Sequence, residues 1–273
     1  MQQKQQLTLG IGGLGAIGFE VARTIASGSI PEIKLAAVSA ARVERAVQRL
    51  SDLNVTVPVV PLHELASHCD IVIECAPAAE FDQVAVSAIK HARIFMPLSA
   101  GALLDRPELI EQARRSGARI IVPSGAMLGL DALKGVAEGN ITRVKLVTRK
   151  PPGGLAGAPY LLQNNINLEG ITEARCVFTG NARQAARAFP ANINVAAALS
   201  LAGFGADRTE VEVWADPDAS RNVHHVSVEA DSASMQMQIS GIPDPDNPRT
   251  GRLTAKSVMA TLRRQVSPMV VGT

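Results

Sequence analysis

The chain has 273 residues, 47% of them hydrophobic and 19% charged, which is too apolar for a disordered chain and enough for one large or two moderate domains with buried cores. Its 27 basic and 25 acidic residues leave a formal charge of +2, and Phe, Tyr and Trp make up only 3%, so the chain lacks both the field and the stacking platforms of a nucleic-acid binder. No run approaches the roughly 18 apolar residues of a membrane span, and three cysteines without CxxC spacing fit neither a disulfide framework nor a structural zinc site.

Residues 7–12 (LTLGIG) read as a strand, GLGAIG at 13–18 as a tight turn, and the following residues as a helix that stops at Gly28. Apolar runs at 33–38, 71–75, 94–98 and 120–122 alternate with helical patterns. One of those helices is predicted to open at Asp105, with Glu108 completing a capping box. Such alternation predicts a doubly wound parallel sheet with helices on both faces. After Pro123 the pattern changes. Segments 142–150, 173–180, 209–216, 225–232 and 234–240 alternate with period two and predict an antiparallel sheet, interrupted by helices near 130–138 and 192–201. PPGGLAGAP at 151–159 reads as a surface loop or lid, and DPDNPRTG at 244–251 as a linker. The last helical stripe, Leu253, Val258, Met259 and Leu262, is expected to return to the first domain. The expected architecture is therefore α/β. A Rossmann-type dinucleotide-binding domain occupies 1–123, an inserted α+β substrate domain 124–246, and a segment at 247–273 packs on the first domain.

Gly13, Gly15 and Gly18 stand at GxGxxG spacing after a first strand and at a helix start, the context in which the motif binds a pyrophosphate. Gly13, Gly15, Ala16, Ile17 and Gly18 are accordingly the candidate contacts of a dinucleotide. The second strand ends in VSAAR rather than in an acidic residue. Ser39 is neutral and Arg42 cationic, so NADP is expected to be accepted beside NAD; a solvated Arg42 at a helix start is the alternative.

His224 and His225 fall on opposite faces of a strand, with His224 on the side of Val226 and Val228, hence towards packing or an enclosed cleft. An imidazole of ordinary pKa near 6.5 suits proton exchange beside a hydride transfer, and a structural histidine is the plainer alternative. Arg149 and Lys150 stand at a strand end before the glycine-rich segment, and either clamp carboxylates or are simply solvated there. Asn192 falls at a predicted helix start, and Ala126 lies where the parallel sheet ends. His63, His68 and His91 lack metal-ligand spacing, so no metal site is predicted.

The pieces GLGAIG, VPSGAMLGLDAL, TRKPP, FPANINVAAALSLAG, DPDASRNVHHV and NPRTGRLTAKSVMATLR run in order over nearly the whole chain and resemble those of L-aspartate dehydrogenases. The resemblance implies NAD(P)-dependent oxidation of L-aspartate to iminoaspartate, which feeds NAD biosynthesis or hydrolyses to oxaloacetate and ammonia. It implies that His224 is the active-site histidine and that Ala126 and Asn192 contact the cofactor. A small dicarboxylic amino acid would need two clamps, for which Arg149, Lys150 and Arg221 are the candidates. A cytoplasmic homodimer without nucleic-acid or membrane partners is expected. Two other functions fit the same residues: a reductase for another imine, amino acid or keto acid, and a non-catalytic NADP-binding sensor.

Overall fold

The computed structural model of the protein describes residues 6–190, 193–244 and 251–273. Contacts gather the chain into two compact units. One comprises the chain up to Ser99 with Arg106–Pro123 and Ala255–Met269, and the other Ala100–Asp105, Ser124–Thr254 and Val270–Thr273.

The first unit contains β1 (Leu7–Gly12), α1 (Ala16–Ala26), β2 (Ile33–Ser39), α2 (Val43–Ser51), β3 (Ile71–Glu74), α3 (Phe81–Lys90), β4 (Ile94–Pro97), α4 (Pro107–Ser116) and β5 (Arg119–Ile120). Its sheet runs β2-β1-β3-β4-β5, all neighbours parallel. β3 is buried at every residue, as expected of a strand covered on both faces, which is why these runs are continuously apolar instead of alternating. α1 turns Gly18, Val21, Ala22 and Ile25 inward at helical spacing. The order reverses between β1 and β3, and ligands of open parallel sheets bind at the carboxyl ends beside such a reversal.

The capping box expected at Asp105 does not form. Arg106 is the N-cap of α4 and Pro107 takes its first turn, where a proline loses nothing by lacking an N–H. Asp105 instead belongs to the second unit, its carboxylate accepting hydrogen bonds from Arg187 (2.7 Å) and Arg183 (3.1 Å).

The second unit contains α5 (Leu130–Ala137), β6 (Ile141–Lys150), α6 (Pro152–Leu155), α7 (Pro159–Gln163), β7 (Arg175–Asn181), α8 (Ala182–Ala188), α9 (Asn194–Leu201), β8 (Thr209–Ala215), β9 (Val223–Ala230) and β10 (Ser234–Ser240). Its sheet runs β10-β9-β6-β8-β7. It is mixed and not antiparallel throughout, because β6 and β8 pair in parallel. The long connection through α6, α7, β7, α8 and α9 supplies the crossover that a parallel pair requires. The segment expected as a lid is folded into α6 and α7, and Leu155, Ala158 and Leu161 are buried in this unit's core. α8, absent from the sequence reading, has a capping box in which Asn181 accepts from the Gln184 N–H and the Gln184 side chain accepts from the Asn181 N–H.

The last helix, α10 (Arg252–Val266), buries Ala255, Val258 and Leu262, and the latter two lie in the core of the first unit. Leu253, expected on the same stripe, is exposed.

Candidate active site

In the first unit the three glycines of the turn are required for different reasons. Gly13 has φ +105, and a Cβ there would stand 2.5 Å from the Cys75 carbonyl oxygen; a Cβ on Gly18 would stand 2.0 Å from the Gly13 oxygen. Those two positions seat α1 against the sheet. Gly15, the exposed N-cap of α1, has open space where its Cβ would be. The first turn of α1 contains no acidic residue, so the amides of Ala16, Ile17 and Gly18 open the helix under an unopposed positive dipole end. A backbone cradle of this shape and sign fits a dinucleotide pyrophosphate.

Ser39 ends β2 almost wholly buried, its carbonyl accepting the Gly13 N–H at 2.9 Å. Arg42 is exposed at the N-cap of α2. Arg49, which sequence reading missed, lies over the Phe19 ring at 3.7 Å and donates to the Leu14 carbonyl at 2.9 Å, bracing the glycine turn from α2. Glu74 was also missed, although an acid closing an apolar strand is itself a signal. It is fully buried, and its carboxylate accepts from the Ser99 N–H (2.9 Å) and hydroxyl (3.1 Å), joining the ends of β3 and β4. Burial pushes its carboxyl above the usual carboxylate range in spite of these donors. The groove lined by Ile25, Gly28, Ile30, Ile33 and Leu35 opens at the amino end of β2, away from the glycine turn.

In the second unit His224 faces the packed side, as parity requires, and is 3% exposed. Cross-strand register sets it opposite Thr148 of β6, and Thr148 Oγ1 and His224 Nδ1 are hydrogen-bonded at 2.8 Å. Lys150 is two residues along β6 on the same face and also 3% exposed; it is no solvated strand end. Desolvation, then the Lys150 and His225 charges, pulls the His224 imidazolium down to about 3. Its environment is thus unlike that of the ordinary imidazole assumed from the sequence: burial beside a cation disfavours the charged ring. Burial likewise lowers the Lys150 ammonium to about 8.

The other expected residues are not all gathered there. Arg149 projects from the opposite face of β6, where it lies over the Trp214 ring at 4.8 Å and pairs with Asp216 at 3.4 Å. Arg221 is exposed in the segment before β9. Ala126 is half-buried in a turn closed by the Met127 N–H on the Ser124 carbonyl, and packs on the second core. Asn192 lies outside the described residues, and the helix expected to begin there starts at Asn194. Asn194 Oδ1 accepts the Gly101 N–H at 3.1 Å, which holds the 100–105 segment within the second unit. Thr148 was invisible to single-strand reasoning, since its value depends on what lies across the sheet.

Comparison with known proteins agrees with both halves. The family model for the NAD binding domain of homoserine dehydrogenase matches residues 13–123, and that for the C-terminal part of aspartate dehydrogenase matches residues 131–265. The chain is 48% identical over 273 residues to L-aspartate dehydrogenase 3 of Bordetella bronchiseptica, covering 100% of both chains. It is 45% identical over 268 residues to L-aspartate dehydrogenase of Bradyrhizobium diazoefficiens, covering 98% of this chain and 95% of the other. The crystal structure of aspartate dehydrogenase from Thermotoga maritima shares the fold with a TM-score of 0.73 at 24% identity, over 98% of this chain and 100% of that one. With whole-length relatives at this level of identity, the chain belongs to the L-aspartate dehydrogenase family.

Proposed function

We propose that this protein oxidises L-aspartate to iminoaspartate with NAD or NADP as the hydride acceptor. The observation that carries this assignment is the buried Thr148–His224 pair beside Lys150, lying in the part of the chain that matches the aspartate dehydrogenase C-terminal model. Gly13, Gly15, Ala16, Ile17 and Gly18 would hold the dinucleotide pyrophosphate, with Ser39 and Arg42 at the ribose end, and Ala126 and Asn192 as further contacts. When bound, the nicotinamide supplies an acceptor for the hydride leaving the substrate α carbon.

The chain's own residues bind and orient the amino acid. With Nδ1 held by Thr148, His224 presents Nε2 as a neutral imidazole, able to hydrogen-bond the substrate or polarise the water that later attacks the imine. Of the three cations considered for the substrate carboxylates, Lys150 shares a face with His224, whereas Arg149 is engaged with Asp216 and Trp214 and Arg221 stands in the preceding segment. The neutral Ser39 and cationic Arg42 support use of NADP as well as NAD. Three free cysteines support a reducing, cytoplasmic setting, and no helix among the described residues is long and apolar enough to cross a membrane. The small net charge supports a small-molecule partner over a nucleic acid. β10, the edge strand of the second sheet among the described residues, offers a surface through which a homodimer would form, to be read by sedimentation.

Reduced nicotinamide absorbance, followed with L-aspartate and a panel of other amino acids, tests the assignment. Turnover with aspartate, and reversal with oxaloacetate plus ammonia, is expected. Silence with aspartate and activity on another amino or keto acid would transfer the protein to a different reaction of the same chemistry.

A further inference from the structure

We infer that Lys150 is the group that takes the proton from the substrate amine, with His224 acting beside it as a neutral hydrogen-bonding partner. This rests on the aspartate dehydrogenase assignment above and goes beyond it, since family resemblance puts the histidine alone at the centre of the chemistry. Three features of position bring Lys150 to this role. It lies at the carboxyl end of β6, followed immediately by Pro151, so the strand stops at the residue that bears the amine. It shares a face with Thr148, and the hydrogen bond from Thr148 to His224 fixes the imidazole next to that face. It is buried, only 3% exposed.

Among the described residues, the packed elements bring few titratable groups to this face. β9 contributes His224 on this face. β8, on the other side of β6, turns Thr209, Val211, Val213 and Ala215 the same way, none of them titratable in this range. α9 contains no acidic or basic residue, and α8 buries Ala182, Ala185 and Ala188, while its Arg183 and Arg187 are engaged by Asp105. Tyr160 of α7 packs its ring on Phe178 and Phe189. Asp216, next to the partner residue of Lys150 in register, is turned to Arg149.

The chemistry then separates the two side chains. Oxidation needs the substrate amine neutral, because its lone pair forms the C=N bond as the α hydrogen leaves with both bonding electrons. One proton passes from the substrate ammonium to the Lys150 ε-amine, the hydride is accepted by NAD or NADP, and the protonated imine remains. Lys150 afterwards releases its proton to solvent. An amine held at about 8 is substantially neutral at mildly alkaline pH and still basic enough to receive that proton. An imidazole held at about 3 is a weaker base by on the order of 10⁵-fold.

The test measures kcat and KM for aspartate against pH in the wild type, Lys150→Met, Lys150→Ala and His224→Gln, with dinucleotide affinity measured separately and native folding checked by circular dichroism. The expected result is a wild-type kcat/KM that climbs through a midpoint near pH 8 and levels off about a pH unit higher. Lys150→Met should lose that limb and at least 100-fold in kcat with dinucleotide affinity unchanged. Lys150→Ala should recover turnover in added ethylamine or methylamine. His224→Gln should keep the limb. A Lys150→Met enzyme with raised KM and intact kcat would make Lys150 a carboxylate clamp and overturn the inference. A limb that survives in Lys150→Met but vanishes in His224→Gln would overturn it in favour of the histidine. Absence of aspartate turnover in the wild type overturns the functional assignment itself, and the inference with it; wild-type turnover with undiminished Lys150 variants overturns the inference alone.

Discussion

Replacing Thr148 by valine keeps the shape of a side chain that is 0% exposed while removing the hydroxyl that meets His224 Nδ1 at 2.8 Å. The imidazole nitrogen then faces a methyl group inside the packed sheet face, and a buried polar atom that loses its partner costs about 1–3 kcal/mol. Urea unfolding at pH 8 should register that loss in the midpoint with the slope unchanged. Thr148→Ser is the control: it retains the hydroxyl and gives up one buried methyl, about 1 kcal/mol. If the same hydrogen bond aims the ring at the substrate, its loss lowers kcat by about 5- to 150-fold, and serine restores most of the rate. Dinucleotide affinity should be the same in all three proteins. A valine variant within about 0.5 kcal/mol of wild type and fully active would refute the reasoning, as would a serine variant as impaired as the valine one.

Acid stability is the second expected outcome. The His224 imidazole of the unfolded chain takes its proton near 6.5 and that of the folded chain only near 3, so stability present above pH 6.5 is lost as pH falls through this window, about 5 kcal/mol at its full extent; His224→Asn should flatten the curve in pH-dependent urea unfolding. Gly15→Ala places its methyl in open space and should leave thermal unfolding of the free protein unchanged, yet weaken dinucleotide binding at least tenfold by calorimetry because backbone must approach the pyrophosphate there. Gly18→Ala would drive its methyl into the Gly13 carbonyl and should lower both stability and affinity, so equal behaviour of the two variants would contradict the cradle. Arg42→Ser should reduce kcat/KM with NADP about tenfold or more while sparing NAD; equal losses with both cofactors would remove Arg42 from the 2'-phosphate.

Much of the site follows from local rules. The glycine spacing after an apolar run predicts the turn at Gly13–Gly18, because a parallel strand buried on both faces and a helix start are both local patterns. Period two alone turns His224 inward and His225 outward. The stripe on α10 predicts its return to the first core, though it is carried by Ala255, Val258 and Leu262 and not by Leu253. The Asn181–Gln184 capping box is also a local signal, overlooked beside the longer strands.

Other features have no local signature. Alternation assigns the faces of a strand but neither its direction nor its neighbours, so the parallel β6–β8 pair and the meeting of Thr148 with His224 exist only once the sheet is assembled. Asp105 has a plausible cap partner three residues away in sequence, but binds arginines brought to it by α8. Charge state is the deepest case. A histidine and a lysine have ordinary pKa values in any linear reading, and what moves them here is exclusion of water by residues distant in the chain, together with the cation that register places beside the imidazole. The residue types and the faces they occupy are set by short-range periodicity; which of them are desolvated, and therefore which can hold or release a proton at working pH, is set by packing across the sheet, because solvation depends on everything that surrounds a group in space.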